Sequence, residues 1–141
     1  MSRTGLAIPV AVRRALLAHA RRDRPRECCG FLLGRGFRVL CSLAMKNIEP
    51  GHTRYRIDDT AHIALRRTLR DTTPPLAIIG VYHSHPAGRA VPSPTDLADA
   101  MYPEWTYVIV GLEGRPQVRA FRLRNGRYRE VRICWQRRAA P

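Results

Sequence analysis

Apolar residues near the start of the chain recur at helical spacing. Over residues 10–22 the chain is rich in helix formers, and Val12, Leu16 and Ala20 fall on one helical face. Leu17 widens that face, so one side of the segment is apolar and the other carries arginines. This pattern predicts an amphipathic helix over residues 10–22 that packs on a core.

After this helix the pattern changes to short apolar runs bounded by glycine, proline or asparagine, which are typical of strands. A turn at residues 34–36 and the pair Asn125-Gly126 are typical of hairpins, so neighbouring strands are expected to pair antiparallel. The strand predictions are residues 31–33, 37–43, 55–57, 77–85, 106–112 and 117–124, with Tyr128, Val131 and Ile133 on a last, more exposed strand.

Two further helices are predicted between these strands. Asp58 or Asp59 can cap a helix that runs to Arg70, with Ile63 among its inward residues, and Pro74 follows its end. A short helix is predicted over residues 93–101. Together the elements predict one α+β domain over residues 1–141, with a single largely antiparallel sheet flanked by about three helices. Residues 1–5 and 137–141 are expected to be frayed.

The segment His83-Ser84-His85-Pro86 ends the predicted strand of residues 77–85. Residues i and i+2 of a strand point to the same face, so both imidazoles are expected on one side of the sheet. Asp96 follows in the first turn of the predicted short helix. Two imidazoles and a carboxylate make three protein ligands, the number found in catalytic zinc sites that keep a fourth position open.

Ser93 and Asp96 also have a purely structural interpretation. Ser93 is a suitable N-cap, Pro94 suits the first helical position, and Asp96 can complete a capping box. The histidine pair is harder to explain this way, because two imidazoles at the end of a buried strand are costly unless they bind something.

A hydrolytic metal site needs a group that takes a proton and passes it to the leaving amine. Glu27, just before the predicted strand of residues 31–33, is the candidate general acid/base. A solvated loop carboxylate is the alternative for Glu27. The neighbouring Cys28 and Cys29 are interpreted as packed small residues, because the four cysteines include no CxxC pair.

The formal net charge of +14 favours an acidic partner, either a protein or nucleic acid. All the basic residues except Lys46 are arginines scattered along the chain, so a compositional bias towards arginine is the alternative. Since no apolar run approaches 18 residues and no signal peptide is recognised, a cytoplasmic protein without membrane contact is predicted.

Taken together, Glu27, His83-x-His85 and Ser93-x-x-Asp96 resemble the signature of the JAMM (MPN-plus) metalloprotease family. The resemblance covers nearly the whole chain and implies the JAMM/MPN fold, a cytidine-deaminase-like mixed layer. It implies that His83, His85 and Asp96 bind one Zn²⁺ per chain. By the same resemblance Glu27 is the general acid/base, and the Ser93 hydroxyl hydrogen-bonds the developing oxyanion.

The resemblance also implies a substrate class, namely a ubiquitin-like protein cleaved after its C-terminal Gly-Gly. The chain resembles the stand-alone bacterial branch, particularly in the stretch from His85-Pro86-Ala87-Gly88 to Pro92-Ser93. Members of that branch release an amino acid, typically cysteine, from sulfur-carrier proteins. An extended substrate tail could add to an exposed sheet edge near the site. One alternative is a desampylase-like isopeptidase acting on lysine conjugates, and another is a RadC-like module associated with nucleic acid. No helix-turn-helix signal, aromatic platform or clustered basic stripe supports the second.

Overall fold

The computed structural model describes residues 5–137, and its three helices and eight strands form one layered α+β unit. In chain order the elements are β1 (Leu6–Pro9), α1 (Val10–Asp23), β2 (Cys29–Arg35), β3 (Arg38–Met45), α2 (Asp59–Arg70), β4 (Ala77–His85), α3 (Pro94–Asp99), β5 (Thr106–Gly111), β6 (Gln117–Arg124), β7 (Arg127–Val131) and β8 (Ile133–Gln136). The three helices agree with the sequence prediction to within a few residues at each end.

The strands form one mixed sheet in the order β7-β6-β5-β4-β2-β3-β1-β8. The hairpins β2–β3 and β6–β7 are antiparallel as predicted, and β4 is antiparallel to β2. However, β4 is parallel to β5, and β1 is parallel to both of its neighbours. The sheet is therefore less antiparallel than the hairpin signals indicated, because its parallel pairings join strands that are not linked by turns.

The last predicted strand is in fact two strands that lie at opposite edges of this order. β7 ends at Val131 and β8 begins at Ile133, so only Arg132 separates them. The Arg132 carbonyl accepts a hydrogen bond of 2.9 Å from the Leu6 amide, which joins this corner to β1. A connection this short requires the two edges to approach each other, so the sheet curls towards a barrel.

The core of the described residues has one large cluster on each face of β4 and a third, small cluster of Ala90, Ile109 and Phe121. Helix α1 packs Val12, Leu16, Leu17 and Ala20 against one face, as the helical pattern predicted. A second cluster, around Phe31 and its neighbours, lies on the other face with α2 and the segment after α3. Successive residues of β4 therefore enter different environments.

Two local predictions were wrong. Residues 55–57 form no strand, and the side chains of this segment pack beside the second cluster instead. Ile63 is 52% exposed rather than inward, while Leu69 is the buried residue of α2. The apolar positions of α2 are therefore not all covered by the sheet. The predicted fraying falls mostly on residues 1–4 and 138–141, which lie outside the described residues.

Candidate metal centre

Strand β4 delivers both histidines to one face of the sheet. Val81, His83 and His85 alternate with Tyr82 and Ser84, which point towards α1. The strand is interior, with β2 on one side and β5 on the other. Consequently, a substrate tail cannot add to β4 itself, and the sheet-edge mode of tail binding expected from the sequence does not apply at this strand.

Helix α3 brings Asp96 to the histidines. Its N-terminus is a complete capping box, in which the Ser93 hydroxyl accepts from the Asp96 amide at 3.0 Å and the Ser93 amide donates to Asp96 Oδ2 at 2.8 Å. The box fixes the orientation of the Asp96 carboxylate. Its two oxygens lie 3.1 Å from His83 Nε2 and 3.1 Å from His85 Nε2.

The nitrogen and oxygen atoms of these three side chains converge on one point. The His83 and His85 Nε2 atoms are also 3.1 Å apart. We call the three side chains of His83, His85 and Asp96 the triangle, because their possible metal-ligand atoms lie close to one another. In a tetrahedral zinc site with bonds of about 2.0–2.1 Å, neighbouring ligand atoms lie about 3.3 Å apart. The residues present therefore fit a tetrahedral ion, and the chemistry of two imidazoles and one carboxylate suits a transition metal.

The charges within the triangle are strongly coupled. Burial alone would raise the pKa of the Asp96 carboxyl, but hydrogen bonds from His83 and His85 hold it well below its usual range. Burial lowers the pKa of His83, whereas the Asp96 carboxylate opposes the effect of burial on His85 and raises its pKa. A metal ion would take the place of the protons that hold the triangle together.

Glu27 lies beside this triangle, two residues before β2 begins. Donor atoms of Glu27, His83 and His85 lie within 4.8 Å of one another, and Glu27 is only 6% exposed. Its Oε1 atom is buried without a hydrogen-bond partner. Burial raises the pKa of the Glu27 carboxyl to about 7, with opposing influences from His85 and Asp96. Glu27 is thus not the solvated loop carboxylate of the alternative interpretation.

A second layer of contacts holds the histidine rings. His85 Nδ1 is 2.8 Å from the Arg89 carbonyl, which directs the other ring nitrogen towards Asp96. The ring of Tyr55 stacks on His83, with centroids 4.5 Å apart. Neither Arg89 nor Tyr55 was predicted as part of the site, because no spacing pattern links them to the histidines.

Asn47 is a further residue that the sequence did not point to. It is 5% exposed, and all four of its amide hydrogen-bonding positions are used. Its Nδ2 donates to the carbonyls of Glu27 and Arg54, and its Oδ1 accepts from the amides of Glu49 and Arg56. The bonds to residues 54 and 56 bracket Tyr55. Asn47 thus joins the backbone of Glu27 to the loop that carries the ring stacked on His83.

Beside His83 lies a concave surface of about 460 Å³ that we call the aromatic groove, with Phe31, Tyr55, Tyr102, Trp105 and Tyr107 among its lining residues. Tyr102 and Trp105 stack with centroids 3.9 Å apart. Charged residues also line the groove, and two of them, Arg54 and Asp99, form an ion pair at 3.1 Å. The groove thus combines aromatic walls with charged and polar side chains close to the triangle.

His19 and the cysteine pair contribute no atom to the triangle, although Cys29 pairs with His83 in the β2–β4 register. His19 is buried with both ring nitrogens in contact, Nδ1 with the Tyr82 hydroxyl at 2.8 Å and Nε2 with Asp23 at 3.2 Å. Cys28 and Cys29 are fully buried, and burial raises the pKa of their thiols to about 11 and about 12. Their interpretation as packed residues is confirmed.

Residues 9–124 match the sequence profile of the family described as prokaryotic homologs of the JAB domain. The chain belongs to the prokaryotic JAB family. The JAMM/MPN resemblance inferred from Glu27, His83-x-His85 and Ser93-x-x-Asp96 is thereby confirmed, and membership of this metal-dependent family makes the chain a hydrolase by class.

Three relatives of known or assigned activity are similar to the JAB chain over most of their length. It is 37% identical over 116 residues to the CysO-cysteine peptidase of Mycobacterium tuberculosis, covering 79% of this chain and 78% of that protein. The probable TtuB-protein conjugate cleaving protease of Thermus thermophilus is 34% identical, with 86% and 78% covered. The desampylase of Haloferax volcanii is 30% identical, with 82% and 86% covered.

Solved structures give the same fold. The solution structure of a Desulfitobacterium hafniense protein aligns with a TM-score of 0.84 and 26% identity, over 94% of both chains. A JAB1/MPN domain protein from Archaeoglobus fulgidus aligns with a TM-score of 0.60 and 16% identity, over 93% of this chain and 99% of that one. At the latter identity the likeness concerns the fold alone. None of the helices within residues 5–137 has the length and apolar character needed to cross a bilayer.

Proposed function

We propose that the chain is a zinc-dependent peptidase that cleaves after the C-terminal Gly-Gly of a ubiquitin-like sulfur-carrier protein, releasing cysteine. The observation that carries the proposal is the convergence of His83, His85 and Asp96 with the unpartnered Glu27 carboxylate beside them. The relative at 37% identity, named for hydrolysis of a CysO–cysteine bond, supports the choice of substrate.

In this proposal His83, His85 and Asp96 hold the metal. Two carboxylates compete for the third ligand position, and geometry favours Asp96, because its oxygens lie 3.1 Å from both histidine nitrogens and are aimed by the Ser93 amide. Two imidazoles favour zinc over the hard cations that prefer all-oxygen sites. When bound, zinc polarises the scissile carbonyl and lowers the pKa of a coordinated water.

Glu27 handles the proton in the proposed reaction. Its buried Oε1 has no competing partner, so it can take the proton of the attacking water and return it to the leaving amine. The position of its backbone is set by the Asn47 amide, which donates to the Glu27 carbonyl at 2.9 Å. Glu27 thereby acts without the reorientation that a solvated side chain would need.

Ser93 combines two roles that the sequence placed in competition. The capping box uses the Ser93 oxygen as an acceptor, from the Asp96 amide. A hydroxyl has one hydrogen to donate as well as lone pairs to accept, so the same group can donate to the developing oxyanion. Capping therefore orients the hydroxyl for the proposed donation.

The substrate tail is proposed to lie in the aromatic groove. Tyr55 belongs both to the groove wall and to the ring stack on His83, so a chain in the groove leads directly to the triangle. An extended tail ending in Gly-Gly offers no side chains next to the scissile bond, which suits the close packing of Tyr55 against His83.

The proposal is tested by mass spectrometry on a carrier protein ending in Gly-Gly-Cys. The zinc-loaded enzyme should remove the single cysteine, and the Glu27→Gln variant should leave the carrier intact. If the carrier stays whole while a lysine isopeptide of the same protein is cleaved, the desampylase-like alternative replaces the sulfur-carrier one. The Haloferax volcanii relative is the reason to include that conjugate.

A further inference from the structure

A second concave surface, which shares no lining residue with the aromatic groove, lies next to the loop that follows β4. It measures about 360 Å³, and its lining includes Arg13, Arg89, Gln117, Arg119 and Trp135. We call this surface the arginine cleft. Three of these side chains are guanidinium groups, and no carboxylate lines the cleft among the described residues.

The cleft is built by fixed elements rather than by a loose collection of surface arginines. Arg13, in the first turn of α1, places its guanidinium 5.6 Å from the centre of the Trp135 ring of β8. Arg119 of β6 is held by Glu130 of β7 through bonds of 2.8 and 2.5 Å. Since each contact restrains a long side chain, less conformational entropy is lost when a partner binds.

Arg89 connects the cleft to the metal centre. Its carbonyl is the group that accepts from His85 Nδ1, 2.8 Å away. A side-chain carbon on Gly111 of β5 would lie only 2.6 Å from the Arg89 carbonyl carbon, so glycine at this position allows the loop to pack against the sheet. The backbone of Arg89 is thus fixed while its side chain faces the cleft.

The strand register places the cleft close to the scissile position. His85 pairs with Gly111, which in turn pairs with Gln117 in the cleft. Two strand spacings correspond to about 10 Å. A folded protein whose tail occupies the triangle is larger than this distance, so it would also reach the end of the cleft formed by Arg89 and Gln117.

The two surfaces flanking the triangle differ in charge balance. In the aromatic groove Arg54 and Arg56 are paired with Asp99 and Asp59, at 3.1 and 3.4 Å. In the cleft only Arg119 has such a partner, and Arg13 and Arg89 have none among the ion pairs of the described residues. An unbalanced cationic surface favours an acidic partner by raising the association rate.

We propose that the arginine cleft docks acidic side chains on the folded body of the ubiquitin-like substrate, while the tail of that substrate occupies the aromatic groove. This inference rests on the proposed function, since it names the part of the substrate that the cleft recognises. It assigns part of the net charge of +14 to substrate recognition rather than to composition alone.

The test compares charge reversal at two neighbouring arginines. Arg13→Glu changes the cleft, whereas Arg14→Glu changes an exposed residue next to it that does not line the cleft. Each variant is assayed with the whole carrier and with a synthetic peptide of its C-terminal tail. Arg13→Glu should lower kcat/KM for the carrier about tenfold at low salt and leave the peptide unchanged. Arg14→Glu should change neither by more than about twofold.

Two further measurements keep the result interpretable. The difference between wild type and Arg13→Glu should shrink at about 1 M salt, where charges are screened within about 3 Å. Arg13→Lys, which keeps the charge, should recover most of the rate, and a melting curve will show whether loss of the Trp135 contact has affected folding.

Several outcomes would overturn the docking role. Equal effects of the two charge reversals, or equal effects on carrier and peptide, would assign the result to overall charge or to the active centre. A labelled DNA duplex that loses binding in Arg13→Glu, with carrier kinetics unchanged, would assign the cleft to nucleic acid.

If wild type cleaves neither substrate, the proposed function fails on its own. In that case calorimetry with the Glu27→Gln variant and the whole carrier still decides the docking role, since binding that Arg13→Glu does not weaken would overturn it.

Discussion

The buried histidines next to the two faces of β4 differ in whether their ring nitrogens have hydrogen-bond partners. On the α1 face, Tyr82 contacts His19, whose two ring nitrogens both have partners. On the other face, His83 Nε2 meets the nitrogen of His85 and an oxygen of Asp96 at one point, while its Nδ1 is buried without a partner. Tyr82 and His83 are consecutive residues of β4, so their side chains point to opposite faces of the sheet and belong to different clusters.

This comparison shows what distinguishes a structural cluster from one built to bind. Both contain imidazole and carboxylate, and both are largely buried. In the α1-face cluster both ring nitrogens of His19 have a partner, so the hydrogen-bonding capacity of the imidazole is satisfied. In the triangle the donor atoms face each other across a shared point, and Glu27 Oε1 has no partner at all. Unsatisfied, convergent atoms are a better guide to function than residue type.

The largest expected effect comes from removing a ligand on the His83 face. His83→Ala should reduce zinc from about one ion per chain to none and abolish hydrolysis, because two ligands no longer close a site. Metal analysis and a carrier-cleavage assay measure the two outcomes. His19→Ala is the matched control from the other face of β4. Equal loss of zinc in both variants would mean that the comparison between the faces is wrong.

Glu27→Gln separates proton transfer from metal binding on the same face. The variant keeps the size of the side chain but cannot take a proton, so kcat should fall by about 10²–10⁴. Zinc content and the melting temperature should stay near those of wild type. Loss of zinc together with activity would instead make Glu27 a ligand, and the assignment of Asp96 would need revision.

Ser93→Ala should have a smaller effect that reports on both of its roles. Losing the cap costs about 1 kcal/mol of stability. Losing an oxyanion donor lowers kcat by about 10²–10³. Ser93→Thr, which keeps the hydroxyl, should restore most of both. Unfolding curves measure the loss of stability, and single-turnover rates measure the loss of oxyanion stabilisation. A loss of stability alone would leave Ser93 with only its capping role.

His19→Gln should change stability without changing chemistry. The substitution leaves the Asp23 and Tyr82 contacts incomplete, so the free energy of unfolding should fall by about 1–3 kcal/mol. Zinc content and kcat should be unchanged. A fall in kcat at temperatures where the variant is fully folded would show that the two faces of β4 are coupled.

The smallest expected effect is on pH dependence. Burial is the main cause that lowers the pKa of His19, with Asp23 acting in the opposite direction. The folded state therefore disfavours the protonated ring, and its contribution to stability is full above the unfolded pKa of about 6.5 and declines as pH falls. The free energy of unfolding of wild type should fall more between about pH 6.5 and pH 5 than that of His19→Gln. A parallel decline in both proteins would assign the pH dependence to other groups.

The sequence predicted the triangle because its information is local. His83 and His85 have strand spacing, and Ser93 and Asp96 have capping-box spacing, so each pair needed only its own element to form. Glu27 was proposed because the chemistry needs a carboxylate that carries a proton, and the family resemblance supported it, since no local rule ties a residue before β2 to the end of β4.

The supporting residues could not be predicted in this way. Asn47 lies in a loop without periodicity, and its importance comes from four hydrogen bonds to groups on three separate stretches of chain. Tyr55 was assigned to a short strand. Nothing in the local sequence indicates that its ring stacks on His83, which is distant in the chain. The arginine cleft could not be predicted from the sequence either, because its residues come from four separate parts of the chain: α1, the loop after β4, β6 and β8.

The pairing of β1 with β8 has a consequence for how the protein is made. Leu6 pairs with Ile133, almost the whole length of the described chain away. On the ribosome β1 therefore leaves the exit tunnel long before its outer neighbour exists, and during that interval its free edge is exposed to other nascent strands. The hairpin β2–β3 and strand β4 are synthesised earlier, so the metal-binding strand can be in place before the sheet closes. We expect chaperone contact during synthesis to fall when Ile133 emerges.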